Sequence, residues 1–238
     1  MDKYVILTAV VAAILLMVAV YFLTLFINKF RPHSGKTWFA MTPLPASIRL
    51  PAFRMSEYAG MDANSMRYDR DRLGMWPTVD DPYMQALAKA FADQYGKKPK
   101  AKQAKILLAI VQQNIRYVHD DNNYGIEEFW ALPAMTIVKG SGDCEDSAFI
   151  YAGLAYLIGL DVILIHLMDH MTCGVCVPEP FLHNRVYTYN GRKYYDADTV
   201  RIIARIGRGS SAGQWSLSEV KEPDERFKAA MRPIGGMK

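Results

Sequence analysis

Hydrophobic and polar positions divide the chain into three regimes. From Val5 to Ile27 there is no charge, Pro or Gly. A bilayer's hydrocarbon core of about 30 Å takes about 20 helical residues to cross, so a transmembrane helix is predicted within residues 1–30. The run ends in Phe26-Ile27-Asn28-Lys29-Phe30, without the small residues of a signal-peptidase site, and the helix is expected to remain as an anchor. From Arg31 to Asp81 no period survives among Pro32, Pro43, Pro45, Pro51 and Pro77. Trp76, Tyr68 and several Met make this stretch too apolar for a disordered linker. Residues 31–81 therefore read as a stalk or an extension wrapped on the domain.

Regular periodicity begins at Pro82. A helix is predicted from Pro82 to Tyr95, started by Asp80-Asp81-Pro82 and stopped by Gly96. Ile106, Leu107, Ile110, Val111, Ile115 and Val118 recur at helical spacing, giving a second helix over Lys102–Tyr117. A polar loop follows from His119 to Gly125. A third helix begins at Cys144, after the turn Gly140-Ser141-Gly142-Asp143, and ends at Gly159. Asp143 is its expected cap, and Asp146 its acidic capping-box partner.

Strands come next. Val162–Ile165 is β-branched and apolar, and Met171, Cys173, Val175 and Val177 alternate with other residues. Val186–Tyr189 and Lys193–Tyr195 flank Asn190-Gly191, a strong hairpin signal. Helices followed by antiparallel strands define an α+β domain over residues 82–205. Residues 206–238 turn to Gly, Ser and charge and are expected to form a loosely held tail.

Composition narrows the function. A net charge of +4 on 238 residues is too mild to argue for nucleic acid, and the basic run Lys97–Lys105 reads as a solvated helix start. Three cysteines cannot build a disulfide framework in a domain this large.

Cys144 stands at a helix N-terminus, where backbone N–H groups and the helix dipole favour a thiolate and offer a place for an oxyanion. Asp143, Glu145 and Asp146 oppose this if they face the sulfur. A nucleophilic cysteine also needs a base, normally a histidine oriented by a carboxylate.

The run Glu127-Glu128-Phe129-Trp130-Ala131-Leu132-Pro133, then Thr136 and Gly142-Asp143-Cys144-Glu145-Asp146-Ser147-Ala148, resembles the nucleophile region of prokaryotic transglutaminase-like cysteine peptidases. The resemblance covers about residues 82–205. It implies a papain-like α+β core whose central helix opens at Cys144, with a catalytic His and Asp on neighbouring antiparallel strands. His170, opening the strand at Met171, fits the family's histidine position. His166 lies inside the preceding strand, and His183 in the Pro178–Asn184 loop is the second choice. Asp198, four residues after Tyr194 and directly before Thr199, fits the acid better than Asp196, which shares its face by strand alternation. No second oxyanion donor follows from the sequence. Trp130 reads as a core residue with an indole N–H near the cleft.

Cys173 and Cys176 form a Cys-x-x-Cys. On a strand, positions three apart face opposite sides, so buried thiols are expected ahead of a disulfide or zinc. The chain thus reads as a membrane-anchored cysteine acyl-transfer enzyme, a peptidase or amidase using Cys144, His170 and Asp198 on a peptide or protein. It needs no cofactor or metal, and its lipid partner is the bilayer around the N-terminal helix. Two alternatives stand beside it: an inactive transglutaminase-like scaffold module, and a zinc-binding structural domain using Cys173 and Cys176. Lys3 against Lys29, Arg31 and Lys36 barely discriminates sidedness. The resemblance leans to an extracytoplasmic domain, because anchored relatives of this kind mostly act on envelope or extracellular proteins.

Overall fold

In a computed structural model of the protein, residues 72–125, 127–181, 185–200, 206–207 and 216–230 are described, the side chains of 229 and 230 excepted. The predicted anchor, most of the stalk and His183 lie outside the described residues. Among those residues no helix is long and apolar enough to cross a membrane.

Helix α1 (Pro82–Tyr95) starts and stops where the sequence predicts. Pro82 needs no N–H partner at the first position, and the Asp81 carboxylate accepts from the Tyr83 and Met84 N–H groups. Helix α2 (Lys100–Asn114) ends earlier than its apolar spacing predicts. Beyond it, the Arg116 N–H donates to Gly140 O and the Val118 N–H to Gly142 O. Strand β1 (Arg116–Tyr117) thereby pairs in parallel with β2 (Ser141–Gly142). A tertiary partner has replaced the last helical turn.

A short helix, α3 (Asp120–Asn123), replaces part of the polar loop expected over His119–Gly125, and another, α4 (Pro133–Lys139), occupies a stretch without predicted structure. Pro133 opens α4, and Gly140 closes it at φ 69°, a conformation that favours glycine.

Helix α5 (Cys144–Leu157) is central. It packs against α1, α2, α4 and three strands, and residues 145–155 are all buried. Fully burying a side chain such as Phe149 contributes about 1.5–3 kcal/mol. Gly142 is required just before it. A Cβ there would lie 2.5 Å from Asp146 Oδ2 and 2.8 Å from Thr136 Cγ2.

The sheet is antiparallel, in the order β5 (Val186–Tyr189), β6 (Arg192–Ala197), β4 (Met171–Cys176), β3 (Asp161–His166), β7 (Ser216–Glu219). Asn190 and Gly191 both have positive φ, 47° and 74°, in the tight turn between β5 and β6. The helices cover one face, and a smaller apolar cluster of Ile163, Ile165, Leu167, Tyr187 and Tyr194 lies on the other. The domain is α+β, as the order of elements predicts.

Two boundaries differ from the sequence reading. Order begins before Pro82: Leu73 and Trp76 are buried, Trp76 stacking on Phe149 with ring centroids 5.7 Å apart. Part of the expected tail is also integral. Strand β7 pairs with β3, and helix α6 (Glu225–Ala230) places Phe227 edge-on to Trp76 at 5.6 Å. Four residues of weak propensity form β7 because β3 would otherwise be an unpaired sheet edge.

Candidate active site

Cys144 lines an open cleft of about 190 Å³ together with His170, His166, His119, Tyr117 and Trp130. Helix α5 brings Cys144 there. The β3–β4 turn brings His170, with the Leu167 N–H donating to His170 O at 2.8 Å. His170 Nε2 lies 3.4 Å from Asp198 Oδ1 and makes no hydrogen bond among the described residues. The Asp198 carboxylate is nearly buried and also accepts from the Val200 N–H at 3.1 Å. Its backbone carbonyl accepts from Gln112 Nε2 of α2 at 2.8 Å.

Asp196 does not share this role. Strand β6 ends at Ala197, so face alternation no longer relates residue 196 to residue 198. Asp196 accepts from Thr172 Oγ1 at 3.0 Å and Tyr187 OH at 3.2 Å, with Arg185 Nε at 3.3 Å. His166 lies at the end of β3, edge-on to Trp130 at 6.3 Å. Trp130 is buried at 3% exposure, and its indole N–H donates to Glu128 Oε1 at 3.2 Å.

The carboxylates around Cys144 depart from expectation. Asp143 occupies the cap position but its side chain makes no capping bond. Asp146 does not bond back to the helix start: its Oδ1 accepts from the Ala131 N–H at 2.9 Å, tying the segment after Trp130 to α5. Glu145 does not point away. The Cys144 thiol donates to Glu145 Oε2 at 2.9 Å. Burial pushes the Cys144 thiol far above its ordinary value, and the charge and hydrogen bond of Glu145 and the charge of Asp143 push it further. Only the Met171 backbone N–H works the other way. A helix N-terminus is worth about 0.3–1 kcal/mol to an anion at an exposed site, too little to offset burial beside two carboxylates. At rest Cys144 is a thiol.

Burial and mutual repulsion raise the carboxyls as well. Asp143 is pushed up to about 8 by burial, then by Glu145, with which it shares a hydrogen bond. Asp120 is pushed up to about 7 by burial, against the Phe129 N–H that donates to it. Asp146 is also raised, by burial first. Among the described residues, Asp120 Oδ1, Asp143 Oδ1 and Asp146 Oδ2 are buried without a hydrogen-bond partner. Ligand atoms of Asp120, Asp143 and Asp146 lie within 4.8 Å of one another, as do those of Asp143, Cys144 and Glu145. The first set, all oxygen, suits a hard divalent cation. Asp120 is 23 residues away from Asp143, and only the fold joins them.

Cys173 and Cys176 are free thiols on opposite faces of β4. Cys173 packs in the main core and donates to Ala148 O at 3.2 Å, whereas Cys176 packs against the smaller cluster.

No family model matches the sequence, and no curated protein matches it. Among solved structures the chain has a likeness to LapG of Legionella pneumophila, at 20% identity and a TM-score of 0.37, covering 54% of this chain and 75% of that one. Likeness at that level establishes neither a common fold nor a common activity.

Proposed function

We propose that the protein is a membrane-anchored cysteine enzyme of the transglutaminase-like type, acting on a peptide or protein amide through Cys144, His170 and Asp198. One observation supports this reading: His170 lines the same cleft as Cys144, and its Nε2 lies 3.4 Å from Asp198 Oδ1. In this reading Asp198, with Oδ1 3.4 Å from Nε2, orients the ring so that Nδ1 accepts the thiol proton. The thiolate attacks the amide carbonyl carbon, and N–H groups at the start of α5 receive the oxyanion. The His170 imidazolium then protonates the leaving amine, and a thioester on Cys144 remains. Water, deprotonated by His170, releases the acid and restores the thiol.

The resting thiol supports a second reading. Cys144 hydrogen-bonded to Glu145 in an acidic pocket is what a binding module without turnover would keep. The zinc alternative has less support, because Cys173 and Cys176 face apart. Membrane anchoring through Val5–Ile27 and an extracytoplasmic domain belong to the proposal on sequence grounds. Membrane partition of the full chain, set against a chain lacking residues 1–30, tests the anchor.

For the enzyme, the full chain in detergent micelles is incubated with a peptide library, and mass spectrometry reads hydrolysis products and a thioacyl adduct on Cys144. The expected result is both signals in the wild type and neither in a folded His170→Ala variant. No product from pH 5 to 9, with Cys144 alkylation indifferent to His170→Ala, leaves the binding module.

A further inference from the structure

Asp198 lies one residue past β6, whose pairing with β4 ends at Ala197 opposite Cys173. The candidate acid is therefore placed by the turn that follows the strand. Hydrogen bonds hold that turn from two sides. The Val200 N–H donates to Asp198 Oδ1 at 3.1 Å, closing a local turn across residue 199. Gln112 Nε2 donates to Asp198 O at 2.8 Å, from α2, 86 residues earlier in the chain.

Gln112 is 8% exposed and sits between the buried Leu108 and Ile115 on one face of α2. A polar amide among such neighbours costs stability unless it is hydrogen-bonded. Chemistry fixes the direction of its bond: a peptide carbonyl only accepts, so the NH2 end of the amide faces it. Holding the Asp198 carbonyl holds more than that atom. The carbonyl shares a rigid peptide plane with the Thr199 N–H, and the next N–H along, that of Val200, is the donor to Oδ1. The same Oδ1 lies 3.4 Å from His170 Nε2. A rotation of the 198–199 peptide would therefore carry the carboxylate away from the imidazole. Helix α2 also packs against α5, which begins at Cys144, so one helix supports both the acid and the nucleophile.

We infer that Gln112 is a positioning residue, whose amide holds the Asp198 turn so that the carboxylate faces His170. This rests on the reading of Cys144, His170 and Asp198 as a triad. Gln112 does not line the cleft, so it acts through Asp198 and not on the substrate. Misplacing a group in such a site by about 1 Å can cost about 10²-fold in rate.

The test follows the His170 ring as well as turnover. The full-length protein in detergent micelles, carrying isotope-labelled histidine, is compared by NMR at one pH as wild type, Gln112→Met, Asp198→Asn and the double variant. Loss of a signal in His170→Ala assigns the His170 ring. Met keeps the length of the side chain and removes the donor. Gln112→Met is expected to move the His170 signal in the same direction as Asp198→Asn does, by about half as much or more, and to add nothing in the double variant. The signals of His119 and His166, which line the same cleft, should stay in place. Gln112→Glu keeps the shape but turns a carboxylate toward the carbonyl, and should repeat the effect if the Met variant fails to fold. In turnover, Gln112→Met should lower kcat by about 10–100-fold with KM nearly unchanged, and should cost almost nothing further where Asp198 is already Asn. A purely structural glutamine would instead lower kcat by equal factors in both backgrounds. That equality, an unmoved His170 signal in a folded variant, or equal displacement of all three histidines overturns the inference. Wild-type turnover with an unmoved His170 signal sinks the inference and leaves the enzyme. A His170 displacement that depends on Asp198, in a protein without turnover, keeps the inference and sinks the enzyme.

Discussion

Cys144 donates its thiol proton to Glu145 Oε2 at 2.9 Å, so the side chain that follows the candidate nucleophile in sequence is also the one that holds it protonated. Glu145→Gln should therefore lower the pH at which Cys144 ionises, because a negative charge beside the sulfur is removed. A pKa lower by about one gives about tenfold more thiolate, and iodoacetamide labelling at pH 7 should accelerate by about that factor or more. Unchanged labelling would mean that burial alone sets the thiol.

His170→Ala should abolish turnover, and Asp198→Asn should reduce it by about 10²–10⁴-fold by misorienting the imidazole. Asp196→Asn should cost far less activity. Its loss falls on stability instead, about 1–3 kcal/mol by denaturant titration, because the amide keeps only one of the two oxygens that Thr172, Tyr187 and Arg185 share and loses the charge beside Arg185. Comparable activity losses at Asp196 and Asp198 would show that Asp198 is not the orienting acid.

The raised carboxyls fix the sign of a pH dependence. Asp120 at about 7 and Asp143 at about 8 bind protons more tightly folded than unfolded. Their contribution is fully present below about pH 4, the ordinary carboxylate value, and is lost as pH rises through 7 to 8. The thermal midpoint should be higher at pH 5 than at pH 8.5, and Asp120→Asn should flatten the difference. The oxygen ligands of Asp120, Asp143 and Asp146 also lead us to expect that calcium raises the midpoint more at pH 8.5 than at pH 5, and less so in Asp146→Asn. A midpoint that climbs with pH would contradict the assignment.

Cys173→Ser and Cys176→Ser should differ. Cys173 is in the main core, and a hydroxyl there should cost about 1–3 kcal/mol, while Cys176→Ser should be near neutral. Neither should change turnover. Stoichiometric zinc that disappears in the double variant would restore the metal reading.

Phe227→Ala should destabilise the domain by about 3–5 kcal/mol, the usual cost of emptying a buried aromatic site. The loss would register as a lower thermal midpoint. A change below about 0.5 kcal/mol, the range of surface substitutions, would mean that the C-terminal helix is not part of the core.

Local chemistry made the central elements legible from sequence. Asp81-Pro82 and Gly96 bound α1, and Asn190-Gly191 set the β5–β6 turn, because caps and tight turns depend on residues within a few positions. The start of α5 at Cys144 was legible too, although Asp143 makes no capping bond there. The opposite facing of Cys173 and Cys176 was legible for the same reason, as a matter of strand geometry. Tertiary structure alone decided the rest. The end of α2 depended on hydrogen bonds to Gly140 and Gly142, more than 20 residues away, and β7 became a strand only because β3 had an open edge. The state of Cys144 was decided in the same way. The sequence placed it at a favourable helix terminus, but burial, Glu145 folded back onto the sulfur and the neighbouring Asp143 together outweigh a terminus dipole, because ionisation responds to distance in space and to desolvation.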